Sequence, residues 1–229
     1  MLMNKINYTQ WLKRLLIYGL GMFLIAVGIN ISIKSNLGVS AVSSLPYVLS
    51  LKFTFLSVGN WTIVIYSIFV LIQFALLLKD FKWYYIFQFA VSTVFGFLVD
   101  GTGILVNFCL PDVTHYIFRL LYVAISVFFI AVGILLYLET NVMSMPAEGV
   151  NVAMSKRFTW SVSTCKIIFD VLLVGTAVIL SFAFFGSLQG VREGTVIIAV
   201  CVGLVMKPIA KLLKKPLRTW LFGKEEALS

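Results

Sequence analysis

The sequence predicts an all-α, polytopic membrane protein: six transmembrane helices as two inverted three-helix repeats, each with a short re-entrant or interfacial helix. Three observations carry that prediction. Apolar residues make up 61% of the 229-residue chain and charged residues only 12%, about half the charge with which a soluble domain dresses its surface. Basic residues concentrate on alternate connections between the apolar runs. The second half of the chain also repeats the first at a spacing of 105 residues.

Lipid offers no partner to a backbone N–H or C=O, so a crossing helix must bring about 20 apolar residues. Six runs meet that length: Leu15–Ile33, Val58–Leu78, Tyr84–Val106, Phe118–Leu138, Ile167–Phe185 and Val191–Ala210. They use nearly the whole chain, which is therefore expected to form a single membrane domain, 1–229, without a separate soluble domain. Trp61, Trp83 and Trp160 lie near span ends, where an amphipathic ring prefers to sit. Lys13 and Arg14 precede the first run as in a secretory signal, but no small-residue cleavage pattern follows, so it is read as a retained span.

The net charge of +9 does not point to nucleic acid, because the basic residues flank apolar runs and form no face of their own. With a cytoplasmic N-terminus, the inner segments hold 14 of them, ending in a basic tail at 214–229, and the outer segments hold four: Lys34, Lys52, Arg119 and Arg192. The positive-inside bias then places both termini in the cytoplasm.

Two segments remain, Leu37–Leu51 and Val142–Ser155. Both are half-apolar, rich in Ser, Gly and Asn, and carry Pro46 and Pro146. Each is short for a span. They are expected either to lie on the surface or to dip into the bundle as half-helices, where irregular backbone survives only against protein or a cavity.

Shifting the chain by 105 residues lays Phe23–Ile29 on Phe128–Ile134, Asn36 on Asn141, Ser50 on Ser155, and Phe53-Thr54 on Phe158-Thr159. Ten of the 32 positions from Phe23 to Thr54 are identical, which marks an internal repeat. Repeat 1 covers about 15–110 and repeat 2 about 118–213. Farther along, the offset becomes 107 and Gln88, Ser92, Gly96 and Asp100 fall on Thr195, Ala199, Gly203 and Lys207. Three crossings per unit force the second copy to enter upside down, a design that recurs in secondary transporters.

Over nearly its whole length the chain resembles the YczE/YyaS/YitT family of bacterial integral membrane proteins. The residues carrying the resemblance are the first span ending in Asn36-Leu37-Gly38-Val39-Ser40, its second copy around Pro146 and Glu148, and the Gly96–Asp100 end of the third span. The family's short segments tend toward a Leu-Gly…Pro…Asp pattern. Here the first copy keeps Leu37-Gly38 with Ala41 and Ser43, and the second keeps Pro146 with Glu148 but loses the glycine. The resemblance implies a protein of the bacterial cytoplasmic membrane, often treated as a transporter, whose substrate is not established.

Ionisable groups within a membrane need a partner or a task. Lys34 and Glu139 end equivalent spans, and Asp100 and Lys207 lie late in equivalent spans. Two ion pairs are therefore expected, Lys34–Asp100 and Glu139–Lys207, acting as alternating gates or as structural clamps. Gln88, Ser92, Gly96 and Asp100 share one helix face, for close packing or a polar path. Asp170 follows Lys166 by four residues and either pairs with it or serves as a cation or proton carboxylate. Glu148 is the other candidate carboxylate, with Asn36, Ser43, Asn141 and Asn151 as polar ligands of a site between the repeats.

Enzyme signals are absent. His115 is the only histidine, and Cys109, Cys165 and Cys201 lack metal spacing. An aspartyl dyad of Asp100 and Asp170 is opposed by the topology, which puts them near opposite surfaces. No cofactor or metal is expected. The expected partners are the lipid bilayer and an unidentified small solute or ion, with self-association or partner membrane subunits compatible with so small a chain. The function expected is a secondary transporter or ion-coupled permease. The alternative is a non-catalytic subunit or scaffold, such as the substrate-capturing component of a larger transporter.

Overall fold

Each apolar run becomes a helix, because in a stretch of this composition only the intrahelical ladder can satisfy the backbone. The computed structural model describes residues 8–223. Eight α-helices follow in order: α1 (Tyr8–Ser35), α2 (Ala41–Lys52), α3 (Val58–Leu77), α4 (Phe87–Cys109), α5 (Tyr116–Glu139), α6 (Pro146–Phe158), α7 (Val162–Phe185) and α8 (Glu193–Phe222). Two 3-10 turns, Leu78–Asp80 and Trp83–Ile86, join α3 to α4. There is no strand among the described residues. Six of the helices, all but α2 and α6, are long and apolar enough to cross a membrane, which fits a multi-pass membrane protein.

The most extensive interface is the crossing of α1 on α5. Gly21 and Gly133 meet there backbone to backbone. A Cβ on Gly21 would lie 2.8 Å from the Gly133 carbonyl oxygen, and one on Gly133 would lie 2.6 Å from that of Gly21. Farther along the same interface, Gly28 sits against Ile130 and the backbone of Ser126. Apolar side chains gain little from leaving lipid for one another, so close backbone approach at small residues is what holds such a pair.

The remaining long helices flank that pair. α4 packs on α1 and α8 on α5. Asn30 of α1 fixes the first contact from within the bundle, donating to the Val99 carbonyl (2.8 Å) and to Thr102 Oγ1 (2.9 Å) of α4. α3 also packs closely on α4, where Gly59 and Gly96 face each other. No comparable interface joins α7 to α8.

The short helices are not surface elements. α2 packs between α3 and α7, and so does α6. Val48 and Ser44 of α2 and Val150 and Ala153 of α6 are buried. The chain turns into each of them at an asparagine in the left-handed region, Asn36 (φ 53°) after α1 and Asn141 (φ 48°) after α5. Asparagine tolerates that conformation better than other non-glycine residues. Both asparagines thus have a structural task at the helix ends.

Residues 214–222 of the expected basic tail are helical. α8 continues through Pro208 and Pro216 to Phe222. Its far end is tied to α1 by Gln10 Nε2 donating to the Phe222 carbonyl (3.1 Å) and by Lys13 over the Trp220 ring (4.7 Å). Lys5 and Lys224, two of the basic residues counted for orientation, lie outside the described residues.

The glycine crossing makes a sharp expectation. Gly21→Leu or Gly133→Leu overpacks the α1–α5 interface and is expected to cost about 1–3 kcal/mol or more. Gly175→Leu on α7, where nothing lies within 4 Å of the added Cβ, should leave the melting temperature in detergent unchanged. Equal melting of all three variants would remove the crossing as the organising contact.

Candidate functional site

Where the first turns of α2 and α6 approach the α1–α5 crossing, they enclose a cavity of about 290 Å³. Ile25 and Ile29 of α1 and Ile130 and Ile134 of α5 line one wall. Ser40–Ser43 and Met145, Ala147 and Glu148 supply the two chain turns. α7 adds Lys166 and Asp170, and α8 adds Ile198, Ala199, Val202, Gly203 and Met206.

Glu148 reaches this place because of how α6 begins. Pro146 opens the helix, where its missing N–H removes nothing. The carboxylate then falls in the first turn, where the helix dipole favours negative charge. Three tyrosines stand within electrostatic reach of it: Tyr18, Tyr66 and Tyr137. Tyr18 and Tyr137 meet edge to face with ring centroids 6.1 Å apart, and Tyr66 stacks on Phe95 at 5.7 Å.

Several buried oxygens have no hydrogen-bond partner of close geometry among the described residues: Tyr18 OH, Tyr137 OH, Glu148 Oε2, Asn151 Oδ1 and Asp170 Oδ1, although the Tyr137 hydroxyl stands beside the Glu148 carboxylate and can donate to it. Buried polar atoms are satisfied in nearly all proteins, and each exception calls for an explanation. Except for the two hydroxyls, these atoms can only accept. What they lack is a donor or a positive charge. Asp170 is served on its other oxygen by Lys166 Nζ at 2.7 Å, the i,i+4 pair that the spacing suggested. Glu148 forms no ion pair among the described residues.

A polar anchor holds α6 in position from the opposite side. Gln73 Nε2 of α3 donates to Gln88 Oε1 of α4 (2.8 Å) and to the Pro146 carbonyl (3.2 Å). Gly149 leaves room for the Gln73 side chain. The Gln88–Asp100 face of α4 is accordingly a packing face, with Gln88 and Ser92 fully buried.

Two further hollows lie at opposite ends of the bundle. One, of about 230 Å³, is lined by Ser32, Asn36, Gly38, Tyr47, Gly190 and Arg192. The other, of about 430 Å³, is lined among others by Tyr137, Asn141, Ser144, Gly149 and Lys156. Of the expected ligands, then, Ser43, Glu148 and Asp170 line one cavity. Asn151 is buried on α6 with a free acceptor, while Asn36 and Asn141 stand apart in the two end hollows.

The expected ion pairs do not form. Lys34 binds Asp112 (3.0 Å) and Asn107 Oδ1 (3.2 Å), because α4 ends close to its ammonium. Asp100 instead caps the start of α3, accepting from Ser57 Oγ (2.5 Å) and the Gly59 N–H (2.8 Å). Glu139 pairs with Lys214 and Arg218, both at 3.3 Å, and not with Lys207. Its partners come later in the chain because α8 runs past the point where the apolar run stops.

The tyrosines and Gln73 were missed because single residues inside an apolar run show no pattern of their own, whereas Gln88 stood out by its four-residue spacing to Ser92. A phenol in mid-span does bring a hydroxyl that needs a partner. Tyr137 moreover occupies the repeat position of Ser32, another polar group.

Comparison with known families assigns the chain at this level. The model of a family of unknown function, DUF6198, matches residues 12–211. The chain belongs to DUF6198. No curated protein and no solved structure matches it. For this DUF6198 protein, Glu148, Asp170 and the central cavity all fall inside the matched region.

Gln73→Leu is expected to destabilise the protein by about 1–3 kcal/mol, since Gln88 Oε1 and the Pro146 carbonyl lose their donor in a buried setting. Adding Gln88→Leu should recover part of that loss, because the orphaned amide goes with it. Additive losses in thermal melts would show that the two amides are not coupled.

Proposed function

We propose that this chain is a secondary transporter or permease for a small solute or ion, with its site between two inverted repeats and Glu148 at its centre. One observation carries this reading: the 105-residue shift relates the hollows at the two ends. It lays Ser32, Asn36 and Gly38 of one on Tyr137, Asn141 and Met143 of the other, and Tyr47 on Val152. The central cavity lies between, and the shift exchanges Ile25 and Ile29 with Ile130 and Ile134 in its wall. The α1–α5 crossing supports the same relation. Its Gly21–Gly133 contact becomes Ser126–Gly28, and both are close approaches. Two equivalent vestibules with one site between them are the arrangement on which alternating access operates.

The difference between the halves fits as well. α3 and α4 are closed on Gly59 and Gly96, whereas their repeat counterparts α7 and α8 are parted and Gly203 faces open space. In this reading, closed and parted are two conditions of one element, exchanged between halves as access alternates. In this reading both termini lie on the cytoplasmic side of a bacterial cytoplasmic membrane, which the distribution of basic residues and the resemblance to YczE/YyaS/YitT proteins support.

A second reading, a non-catalytic subunit of a larger assembly, is favoured by α8, most of whose span is exposed in the isolated chain. Sided labelling separates the two. In a background without Cys109, Cys165 and Cys201, Ser43→Cys lines the cavity and should react with an impermeant thiol reagent from both faces of oriented vesicles. Ser44→Cys, fully buried and outside the cavity lining, should stay unreactive. Reactivity of Ser43→Cys from one face only, or from neither, would favour the subunit.

A further inference from the structure

The central cavity is unlike an aqueous channel in two respects. Most of its wall is aliphatic, from the four isoleucines of α1 and α5 and from α8. It is also not closed by helix packing between α7 and α8, although both line it. The corresponding position in the other half is sealed: Phe95 of α4 stacks on Tyr66, and Gly96 meets Gly59. On α8 the small residues Ala199 and Gly203 leave the space unfilled, and no atom lies within 4 Å of a Cβ added to Gly203. The flanking residues Val171 on α7 and Val200 and Leu204 on α8 are exposed apolar side chains. An exposed apolar rim of this kind is suited to lipid rather than to water.

At the polar end the charges do not cancel. Two carboxylates, Glu148 and Asp170, share one nearby cation, Lys166, which lies 2.7 Å from Asp170. Of the atoms in the cavity lining, Glu148 Oε2 and Asp170 Oδ1 are buried acceptors with no hydrogen-bond partner of close geometry among the described residues, and Asn151 Oδ1 is a third such acceptor one turn along α6 from Glu148. The positive end of α6 is already answered by the Glu148 carboxylate in its first turn. A bound group that satisfies all of this carries one positive charge and several N–H donors on an apolar body.

Building on the transporter reading, we infer that the site takes a monovalent amphiphilic ammonium compound, admitted from the membrane through the gap between α7 and α8. Its head would meet Glu148 and the neighbouring acceptors, and its body the isoleucine wall. At about 290 Å³ the cavity is near the small end of ligand pockets, roughly 300–1,000 Å³, which suits a single ring or short alkyl chain.

The test uses the full chain in detergent, with binding of phenethylammonium followed by calorimetry and by thermal shift, since a ligand of the folded state raises its melting temperature. Wild type should bind saturably. Methylammonium, which lacks the body, and 3-phenylpropanoate, which reverses the charge, should bind at least about tenfold more weakly, a difference of about 1.4 kcal/mol. Glu148→Gln should lose about tenfold as well. Gly203→Leu fills the gap and should keep the wild-type melting temperature but lose binding, whereas Gly175→Leu on the outer side of α7 should bind normally. Should Gly203→Leu fail to fold, Ala199→Leu serves the same purpose. The inference is overturned if the anion binds as well as the ammonium, if Glu148→Gln binds like wild type, or if a folded gap-filling variant binds like wild type. A chain that passes the sided labelling at Ser43 yet ignores phenethylammonium would overturn this inference alone and leave the transporter reading in place.

Discussion

Backbone contact between α1 and α5 is the constraint on which the rest of this structure depends. Because Gly21 and Gly133 have no side chains, the two helices approach until their carbonyls meet the facing backbone. That closeness leaves α4 and α8 to pack on the outer flanks and brings the ends of α1 and α5 against the turns that start α2 and α6. The turns then lead into the bundle because Asn36 and Asn141 adopt left-handed backbone there. A larger residue at either glycine would separate the pair and open the wall of the central cavity, so the fold and the site share one support.

Polar groups divide between those that hold the bundle and those left for a ligand. Asn30, Thr102, Gln73, Gln88 and Asp100 each find partners on a neighbouring helix. They join α1 to α4, α3 to α4, and α6 to α3. Around Glu148, which has the Tyr137 hydroxyl beside it, Asn151 Oδ1 and Asp170 Oδ1 lack donors. A half-satisfied polar cluster is costly in a low dielectric, and it persists because the glutamine anchor and the α1–α5 crossing fix the surrounding backbone. Function is proposed where satisfaction fails, and stability is found where it succeeds.

Much of this was legible in the sequence, for physical reasons. An apolar run of span length has few alternatives to a helix, so each of the six runs matches one long helix, with ends such as Leu78, Tyr84 and Val191 falling in the adjoining turns. The shared Phe-x-Ile-Ala-Val-Gly-Ile segment contains Gly28 and Gly133 of the crossing, while Gly21 lies outside it and carried no such mark. Glu148, Ser43 and Asp170 were recognisable because carboxylates and serines in apolar surroundings need a reason. The ion pairs were not legible, because partner choice depends on helix length and rotation. Asp100 was taken up by the start of α3, and Glu139 found Lys214 and Arg218 on a helix longer than its apolar run. The tyrosine hydroxyls were hidden for a similar reason, since only packing shows which phenols meet a carboxylate.

The central claim is that the closed α3–α4 pair and the parted α7–α8 pair are two conditions of one repeated element. Electron-spin distance measurements test it most directly, with labels at the exposed positions Ile68 and Val94 for one pair and Ile179 and Val200 for the other. In vesicles, each pair should show two distance populations, a short one for the closed condition and a long one for the parted. A single fixed distance in both pairs would contradict the account.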